Sequence, residues 1–354
     1  MADNIRLLTP GDPAWDGVLQ HVPHDYYHLA AYHAFAERMG EGRAMMLVVE
    51  AGERLLVWPY LLRELEGGLT DLTSVYGYTG PSGTGLGDAA FRAEAWSAIR
   101  DAWRAQGVVS VFTRFHPLIG NAQAVMDMHG DACPPGGETC RLGQSVSIDL
   151  GLDLEARRMT YPQNLRQEIK KSERQGLVVH LDRDWTDFSS FVSFYRETMS
   201  RNDASDRYFF SEEYLLSLRE ALGKIAYLSV ARVDGEPAAA LLFTVYRGIA
   251  EAHLTGVNKD FAKYSPLKGL IDRTCEIARE FGADVLHLGA GRGGVEDSLF
   301  AFKARFSKRR HDFVLGRWIV DADKYRHLNK EKNLEDDGTF FPAYRKPPIT
   351  APEP

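Results

Sequence analysis

Two stretches of this sequence, MMLVVEAGERLLVWPYLL at residues 45–62 and IAYLSVARVDGEPAAALLFTV at residues 225–245, set the architecture of the chain. Each reads as an apolar strand, a short turn and a second apolar strand. The turns hold Ala51-Gly52-Glu53 in one copy and Asp234-Gly235-Glu236 in the other. Glycine beside an acidic residue, flanked by apolar runs, is the signature of a β-hairpin.

The elements that follow each hairpin also repeat. A glycine-rich strand end at 74–81, a helix ending at Gly107 and a strand at 108–112 follow the first copy; a strand at 251–257, a helix at 266–281 and a strand at 284–288 follow the second. The same order recurs at an offset of about 180 residues, and such self-similarity marks a duplicated unit. We therefore predict an α/β fold of two tandem domains, each with a mixed sheet flanked by helices.

The length of 354 residues fits two domains that each have their own core. We place the first domain at residues 1–155 and the second at 156–324. The tail, 325–354, is charged and then proline-rich. It is expected either to be disordered or to pack on the first domain.

The composition is that of an ordinary globular protein, with 44% hydrophobic and 26% charged residues. The N-terminal MADNIRLLTPGDPAW predicts no signal peptide, and no apolar run approaches the roughly 20 residues of a membrane-spanning helix. Three cysteines are too few for a disulfide framework. These features predict a cytoplasmic protein that does not insert into a membrane.

The net charge of −7 argues against a protein that coats nucleic acid. Two local basic clusters nevertheless stand out. Arg166, Lys170 and Arg174 fall at helical spacing beside Lys171, and five cations lie within residues 303–310. Each cluster alone is typical of a solvated helix face; together they raise the expectation of an anionic ligand.

Several chemical motifs are weak or absent. Residues 289–294, GAGRGG, match G-x-G-x-x-G, but the second strand and acidic residue of a dinucleotide site do not follow, so a flexible turn is favoured. His129, Cys133 and Cys140 fit no common zinc spacing. Neither a G-x-S-x-G elbow nor a phosphate-binding P-loop occurs. We predict no metal and no resident cofactor, and the lack of a nucleophile motif favours direct transfer.

The repeated order resembles the acyltransferase fold of the GNAT superfamily. The resemblance implies that two central parallel strands, 251–257 and 284–288, splay apart around the acyl donor. Ser265 would cap the intervening helix, with Pro266 at its first position. Coenzyme A–dependent members carry a Q/R-x-x-G-x-G/A loop before this helix, whereas residues 258–264, NKDFAKY, contain no glycine. The absence of this loop weakens the hypothesis that the acyl donor is a coenzyme A thioester.

A branch of the superfamily, the Fem-type group, consists of two tandem GNAT domains without that loop. It transfers aminoacyl groups from aminoacyl-tRNA to an amine. Residues 298–306, SLFAFKARF, are similar to its G-L-x-x-F-K-x-x-F signature, and residues 76–81, YGYTGP, resemble its Y-G-x-x-G-P segment. The basic stretch 164–176 and Arg201 also resemble features of the group.

The resemblance implies that Lys303 lies near the transferred acyl group, where its ammonium would stabilise the oxyanion, and that Phe302 walls the pocket. The same residues also fit a surface lysine on an amphipathic helix. His253 and His287 lie on the splayed strands near Glu251, and any of the three is a candidate base. The terminal ribose hydroxyl of the tRNA could relay the proton instead.

Further residues are assigned to the substrates. Those expected to contact the donor ester or the acceptor are Arg201, Arg207, Tyr76, Tyr78, Thr255, Gly289 and Arg292. Those expected to grip tRNA phosphates are Lys170, Lys171, Arg174, Lys308, Arg309 and Arg310.

The leading hypothesis is amide-bond formation between an amino acid carried by aminoacyl-tRNA and an amine of a small molecule, a short peptide or a cell-wall precursor. An acyl-CoA-dependent N-acyltransferase is the alternative. A non-catalytic module that binds an anionic ligand is the third.

Overall fold

The computed structural model describes residues 5–128, 137–202, 204–334, 336–338 and 340–347. The chain divides into two compact units. The first comprises Met1–Leu142 and Phe313–Pro354, and the second comprises Gly143–Asp312. These boundaries lie upstream of those predicted near residues 155 and 324, and the tail belongs to the first unit.

The first half of the chain alternates strands with short helices. Its elements are β1 (Ile5–Leu8), α1 (Ala14–Leu19), α2 (Ala30–Arg38), β2 (Arg43–Ala51), β3 (Arg54–Glu64), β4 (Thr70–Thr73), β5 (Ser82–Thr84), α3 (Ala89–Ala105), β6 (Val108–Arg114), α4 (Asn121–Met128) and β7 (Gly137–Asp149).

The second half begins with helices, continues with a strand-rich stretch and ends in a helix. Its elements are α5 (Leu154–Thr160), α6 (Gln163–Arg174), β8 (Leu177–Leu181), α7 (Phe188–Arg201), α8 (Glu212–Leu222), β9 (Ala226–Val233), β10 (Glu236–Tyr246), β11 (Ile249–Val257), α9 (Pro266–Glu280), β12 (Val285–Ala290), α10 (Ser298–Ala304), β13 (Arg309–Ile319) and α11 (Ala322–Glu331).

Both units contain a mixed sheet with the same strand order. In the first unit the order is β1-β2-β3-β4-β6-β13, and in the second it is β8-β9-β10-β11-β12-β7. One pair of neighbouring strands in each unit is parallel, namely β4 with β6 and β11 with β12. The other neighbouring strands within each unit pair antiparallel. The predicted α/β fold of tandem duplicated domains is therefore confirmed.

Local chemistry explains the hairpins. Asp234 and Gly235 both have positive φ, 52° and 87°, as a tight two-residue hairpin turn requires. The strands on either side are almost continuously apolar because helices cover the sheet: α9 packs on β8, β9 and β10, while α7 packs on β10 and β11. In the first unit, Trp58, Trp96, Trp103 and Trp318 form a buried cluster in the core.

Four local sequence patterns differ from the structure. The apolar residues Tyr27, Ala31, Phe35 and Met39 have the spacing of one helix over 26–39, but this segment is a 3₁₀ turn followed by α2, because Leu29 between them has ψ 147°. Residues 74–81 lie beyond β4 and form only an isolated bridge, at Thr79. Ser265 precedes α9 in a left-handed conformation, and its side chain makes no capping bond. The tail contains the unpredicted helix α11.

The C-terminal segment has a defined partner in the first unit. Tyr344 is buried with Val109 and Tyr325, and its hydroxyl lies 2.7 Å from Ser110 Oγ. Arg345 Nε donates to Asp71 at 2.5 Å. None of the helices within the described ranges combines the length and apolar character needed to cross a bilayer.

Candidate active site

The central parallel strands of the second unit separate partway along their length. β11 and β12 pair only at Ile249–Val285, Ala250–Leu286 and Glu251–His287. Opposite β10, the register then shifts between Leu242, which faces Leu254, and Phe243, which faces Ala252. His253 is thus the extra residue of a β-bulge at the point where the strands part.

A chain of three buried polar side chains marks this point. His287 Nδ1 lies 2.8 and 2.9 Å from the two carboxylate oxygens of Glu251. His287 Nε2 lies 2.8 Å from Ser145 Oγ on β7. Ser145 and His287 are fully buried and Glu251 is 3% exposed. Since a carboxylate only accepts hydrogen bonds, the proton is assigned to Nδ1, and Nε2 of that tautomer accepts from the serine hydroxyl.

The register of β7 explains how these side chains meet. Ser147 pairs directly with His287, and Ser145, two residues along the same face, is its diagonal neighbour. Ser147 Oγ bonds instead to His311 Nε2 at 2.7 Å. Ser145 pairs with Ala290, the last residue of β12.

Lys303 points toward the end of β12. Its helix, α10, is capped by Asp297, whose carboxylate accepts from Phe300 N at 2.9 Å. Lys303 Nζ donates to the carbonyl of Ala290 at 2.7 Å. Burial lowers the pKa of Lys303 from 10.5 to about 8, although the carboxylates of Asp297 and Glu251 oppose the shift. A poorly hydrated ammonium, still mostly charged at pH 7, is suited to stabilising a developing oxyanion.

The neighbouring predicted residues occupy different environments. The Phe302 ring is partly buried, with its centroid 5.5 Å from that of Phe306. Burial lowers the pKa of His253 to about 4, so this imidazole is neutral at pH 7 and a poor base. Thr255 lies further along β11, opposite Leu241.

The turn after β12 needs glycine residues because of its own backbone conformation and packing. Gly289 has φ +76°, and a Cβ on Gly291 would lie 2.1 Å from the Val295 carbonyl. The exposed Arg292 donates from Nε to Asp297 at 2.9 Å and from a terminal nitrogen to the Asn202 carbonyl at 3.2 Å. These contacts agree with a local structural turn.

Arg201, at the end of α7, lines an open groove of about 770 Å³. The wall of the groove carries charges of both signs and three serines; its residues are Ser189, Val192, Ser193, Arg196, Glu197, Ser200, Arg201, Glu212 and Lys259. The side chain of Arg207 lies outside the described part of the structure, as do His129 and Cys133.

Tyr76 and Tyr78 belong to an aromatic cluster of the first unit. The Tyr76 carbonyl accepts from Tyr32 at 2.8 Å, and the Tyr78 ring packs edge-on against Tyr27 at 5.8 Å. Gly77 between them has φ +117°, and a Cβ there would clash with Tyr27. This packing accounts for the Tyr-Gly-Tyr sequence within the first unit.

The two basic clusters have different environments. Lys170, Lys171 and Arg174 are exposed along α6. The second cluster is largely engaged: Lys303 points inward, Arg305 pairs with Glu168 at 2.6 Å, Arg309 pairs with Asp149, and Arg310 donates to the Ser307 and Ala304 carbonyls, whereas Lys308 is exposed.

Sequence analysis missed Ser145 and the role of Glu251 as the partner of His287. No short motif joins Ser145 to His287, because the two residues are 142 positions apart and meet only through the pairing of β7 with β12. The predicted proximity of Glu251 to His253 followed from sequence spacing, whereas strand pairing turns Glu251 toward His287.

Comparison with known proteins gives a family match for part of the chain. Residues 158–303 match the family model described as Acetyltransferase (GNAT) domain. No curated protein matches the chain in sequence.

Among the solved structures that share the fold, three show the extent of the likeness. FemX has a TM-score of 0.71 at 11% identity, covering 91% of this chain and 99% of its own. L-PGS from Bacillus licheniformis has a TM-score of 0.55 at 16% identity, covering 92% and 97%. A tandem GNAT protein from the clavulanic acid biosynthesis pathway, solved without AcCoA, has a TM-score of 0.50 at 13% identity, covering 90% and 99%.

At these identities the likeness concerns the fold alone. The family match adds the enzyme class, and the predicted acyltransferase is confirmed. The match to the GNAT acetyltransferase domain covers most of the second unit.

Proposed function

We propose that the protein transfers an aminoacyl group from aminoacyl-tRNA to an amine of a small molecule, a short peptide or a cell-wall precursor. The observation that carries the proposal is the Lys303 ammonium, held 2.7 Å from the Ala290 carbonyl where β11 and β12 part. The fold shared with FemX supports a Fem-type activity.

The reaction is the aminolysis of an ester. The amine nitrogen attacks the ester carbon, a tetrahedral oxyanion forms, and the bond to the ribose oxygen then breaks. The neutral amine gives up one proton as the amide forms, and the departing ribose oxygen takes up one proton. Lys303 would stabilise the oxyanion, while Glu251 and His287 provide a buried proton acceptor near the same strand end. Phe302 and Thr255 stay candidates for the pocket wall.

The donor is proposed from two features. Residues 259–264 form a 3₁₀ helix, capped by Asn258 Oδ1 accepting from Asp260 N at 3.0 Å, where a coenzyme A site would need glycine for close backbone approach. The exposed cations of α6 suit a phosphate backbone, which lysine and arginine contact without reading its sequence. Both features favour a tRNA donor over acyl-CoA.

The acceptor is proposed to carry an anionic group. Arg196, Arg201 and Lys259 line one groove, and guanidinium groups bind carboxylates or phosphates through two parallel hydrogen bonds. Glu197 and Glu212 in the same groove suit the amine of a zwitterionic substrate.

The test compares donors under identical conditions. The purified chain is incubated with radiolabelled aminoacyl-tRNA, or with labelled acetyl-CoA, and a panel of amino acids, short peptides and cell-wall precursors. Under the proposal, amide product forms from aminoacyl-tRNA, and prior RNase digestion abolishes it. RNase-insensitive product from acetyl-CoA alone would establish the alternative donor and contradict the proposal.

A further inference from the structure

Another cavity of the second unit is lined by α8 and by the loop that follows β8. Its volume is about 380 Å³, and its wall is formed by Trp185, Leu216, Arg219, Glu220 and Gly223. None of these residues lines the larger groove beside α7. The volume falls within the range of small-molecule sites, which is about 300–1,000 Å³.

Trp185 has a backbone conformation that a bulky residue rarely adopts. Its φ is +59°, in the left-handed region that favours glycine. The loop is held in this shape by Asp182, whose carboxylate accepts from Thr186 N at 3.1 Å and from Asp187 N at 2.7 Å. Strain of this kind is commonly retained at ligand-binding sites. The half-buried indole therefore lines the cavity from a strained but fixed loop.

Arg219 brings an oriented positive charge to the same cavity. Its guanidinium carbon lies 4.6 Å from the centroid of the Trp185 ring and 5.7 Å from that of the Phe188 ring. Among the residues that the structure describes, none accepts a hydrogen bond from this guanidinium or forms an ion pair with it, so its N–H groups are available to a ligand. A guanidinium that stacking holds in one plane is suited to a carboxylate, which it binds through two parallel hydrogen bonds.

The remaining walls narrow the class of ligand. Glu220 places a negative charge in the same wall as the guanidinium, which disfavours a doubly charged phosphate and suits an ammonium group. Leu216, which is 40% exposed, and the Trp185 ring offer apolar surface. A zwitterion with an apolar side chain matches the positive charge, the negative charge and the apolar surface together.

We propose that this cavity binds a free α-amino acid with an apolar side chain. Arg219 donates to the ligand carboxylate, Glu220 accepts from the ligand ammonium, and the apolar side chain lies against Trp185 and Leu216. The inference goes beyond the proposed function, because it assigns a further ligand site that needs neither the acyl donor nor the groove beside α7.

Isothermal titration calorimetry of the full chain with L-phenylalanine as the probe tests the site. We expect saturable binding in the absence of tRNA. L-phenylalaninamide, which lacks the carboxylate, and N-acetyl-L-phenylalanine, which lacks the ammonium, should each bind at least about 10-fold more weakly, because each loses a charge-assisted hydrogen bond. Absence of saturable L-phenylalanine binding, or tighter binding of inorganic phosphate, would overturn the proposal.

Substitutions locate the bound amino acid. Arg219→Lys keeps the charge but loses the planar fork, and it should weaken binding at least about 10-fold. Trp185→Gly removes the indole at a position whose positive φ suits glycine, so the variant should fold, as circular dichroism checks, and bind as weakly. Arg273→Lys, at an exposed arginine of α9, is the matched control and should bind like the wild type.

Two results with these variants would contradict the assignment. Wild-type affinity in Arg219→Lys would show that the guanidinium does not hold the ligand carboxylate. Binding that is lost in Arg201→Gln but retained in Arg219→Lys would place the amino acid in the groove beside α7. Either result leaves the tRNA-dependent function standing, because the titration contains no acyl donor.

Discussion

The surroundings of Lys303 change the chemistry of its side chain. An exposed lysine is a strongly hydrated cation, whereas the ammonium of Lys303 has lost much of its water, and its pKa falls to about 8. The protein keeps this charge near two carboxylates, Asp297 and Glu251, and one carbonyl, that of Ala290. Such an arrangement costs stability, and functional sites commonly retain groups of this kind.

This cost predicts a pH dependence of folding. Because the native pKa of Lys303 lies below its ordinary value of 10.5, the unfolded chain binds more protons between pH 8 and 10.5. The stability of the wild type relative to Lys303→Met should therefore be constant below pH 7 and rise between pH 8 and 10. Urea unfolding of both proteins at each pH measures the difference. Lys308→Met, at an exposed lysine, should show no such trend.

At the scale of elements, β11 links the candidate site to the helix beside the groove. α7 packs on β11 so closely that a Cβ on Gly256 would lie 2.5 Å from Tyr195 N and 2.7 Å from the Phe194 carbonyl carbon. Thr198 Oγ1 also accepts from Val257 N at 3.0 Å, which fixes the end of the strand to α7. The strand that parts from β12 is thus fixed by backbone contact with α7.

Gly256→Ala tests this contact. The added methyl group must push α7 away from β11, and we expect a loss of about 1–3 kcal/mol in unfolding free energy, as overpacking usually costs. Gly17→Ala is the control: it lies in α1, its Cβ would meet nothing within 4 Å, and alanine favours a helix. Equal stabilities of the two variants in urea would show that α7 does not pack as described.

α6 is the element proposed to bind tRNA. Replacing Lys170, Lys171 and Arg174 together with glutamine should weaken binding of aminoacyl-tRNA. It should also reduce the slope of log affinity against log salt by about 2, because each phosphate contact releases counterions. Lys330→Gln with Lys332→Gln, exposed cations at the end of α11, should leave both quantities unchanged. Binding titrations at several salt concentrations measure both the affinity and the slope. An unchanged slope in the triple variant would show that α6 is not part of the proposed tRNA interface.

For the whole molecule, duplication built two sheets with one strand order but different polar side chains. In the second unit, Glu251 and His287 pair where the parallel strands part. In the first unit, the parallel strands place Asp71 opposite Ser110. Both side chains bond to residues of that unit: the Asp71 carboxylate accepts from Arg63 and Arg345, and the Ser110 hydroxyl bonds to that of Tyr344. The buried hydrogen-bond chain of Glu251, His287 and Ser145 therefore belongs to the second unit.

How far the sequence predicts this molecule depends on the range of the interaction. The hairpins, the parallel strands and the helix that bears Lys303 follow from local patterns of apolar residues and glycines. Leu29 interrupts a helix although the apolar pattern around it is continuous. The apolar pattern of α11 is too weak to predict a helix, because only Tyr325, Leu328 and Asn329 of its ten residues are buried. Ser145 is beyond local reasoning, because only strand pairing brings a distant serine to a histidine.

The most direct test of the central claim is the transfer rate of Lys303→Met. We predict that single-turnover amide formation from aminoacyl-tRNA falls by about 100-fold or more, the usual effect of removing one oxyanion stabiliser. Binding of aminoacyl-tRNA should be unchanged, and Lys330→Met, at an exposed lysine of α11, should react at the wild-type rate. Wild-type turnover by Lys303→Met would contradict the account.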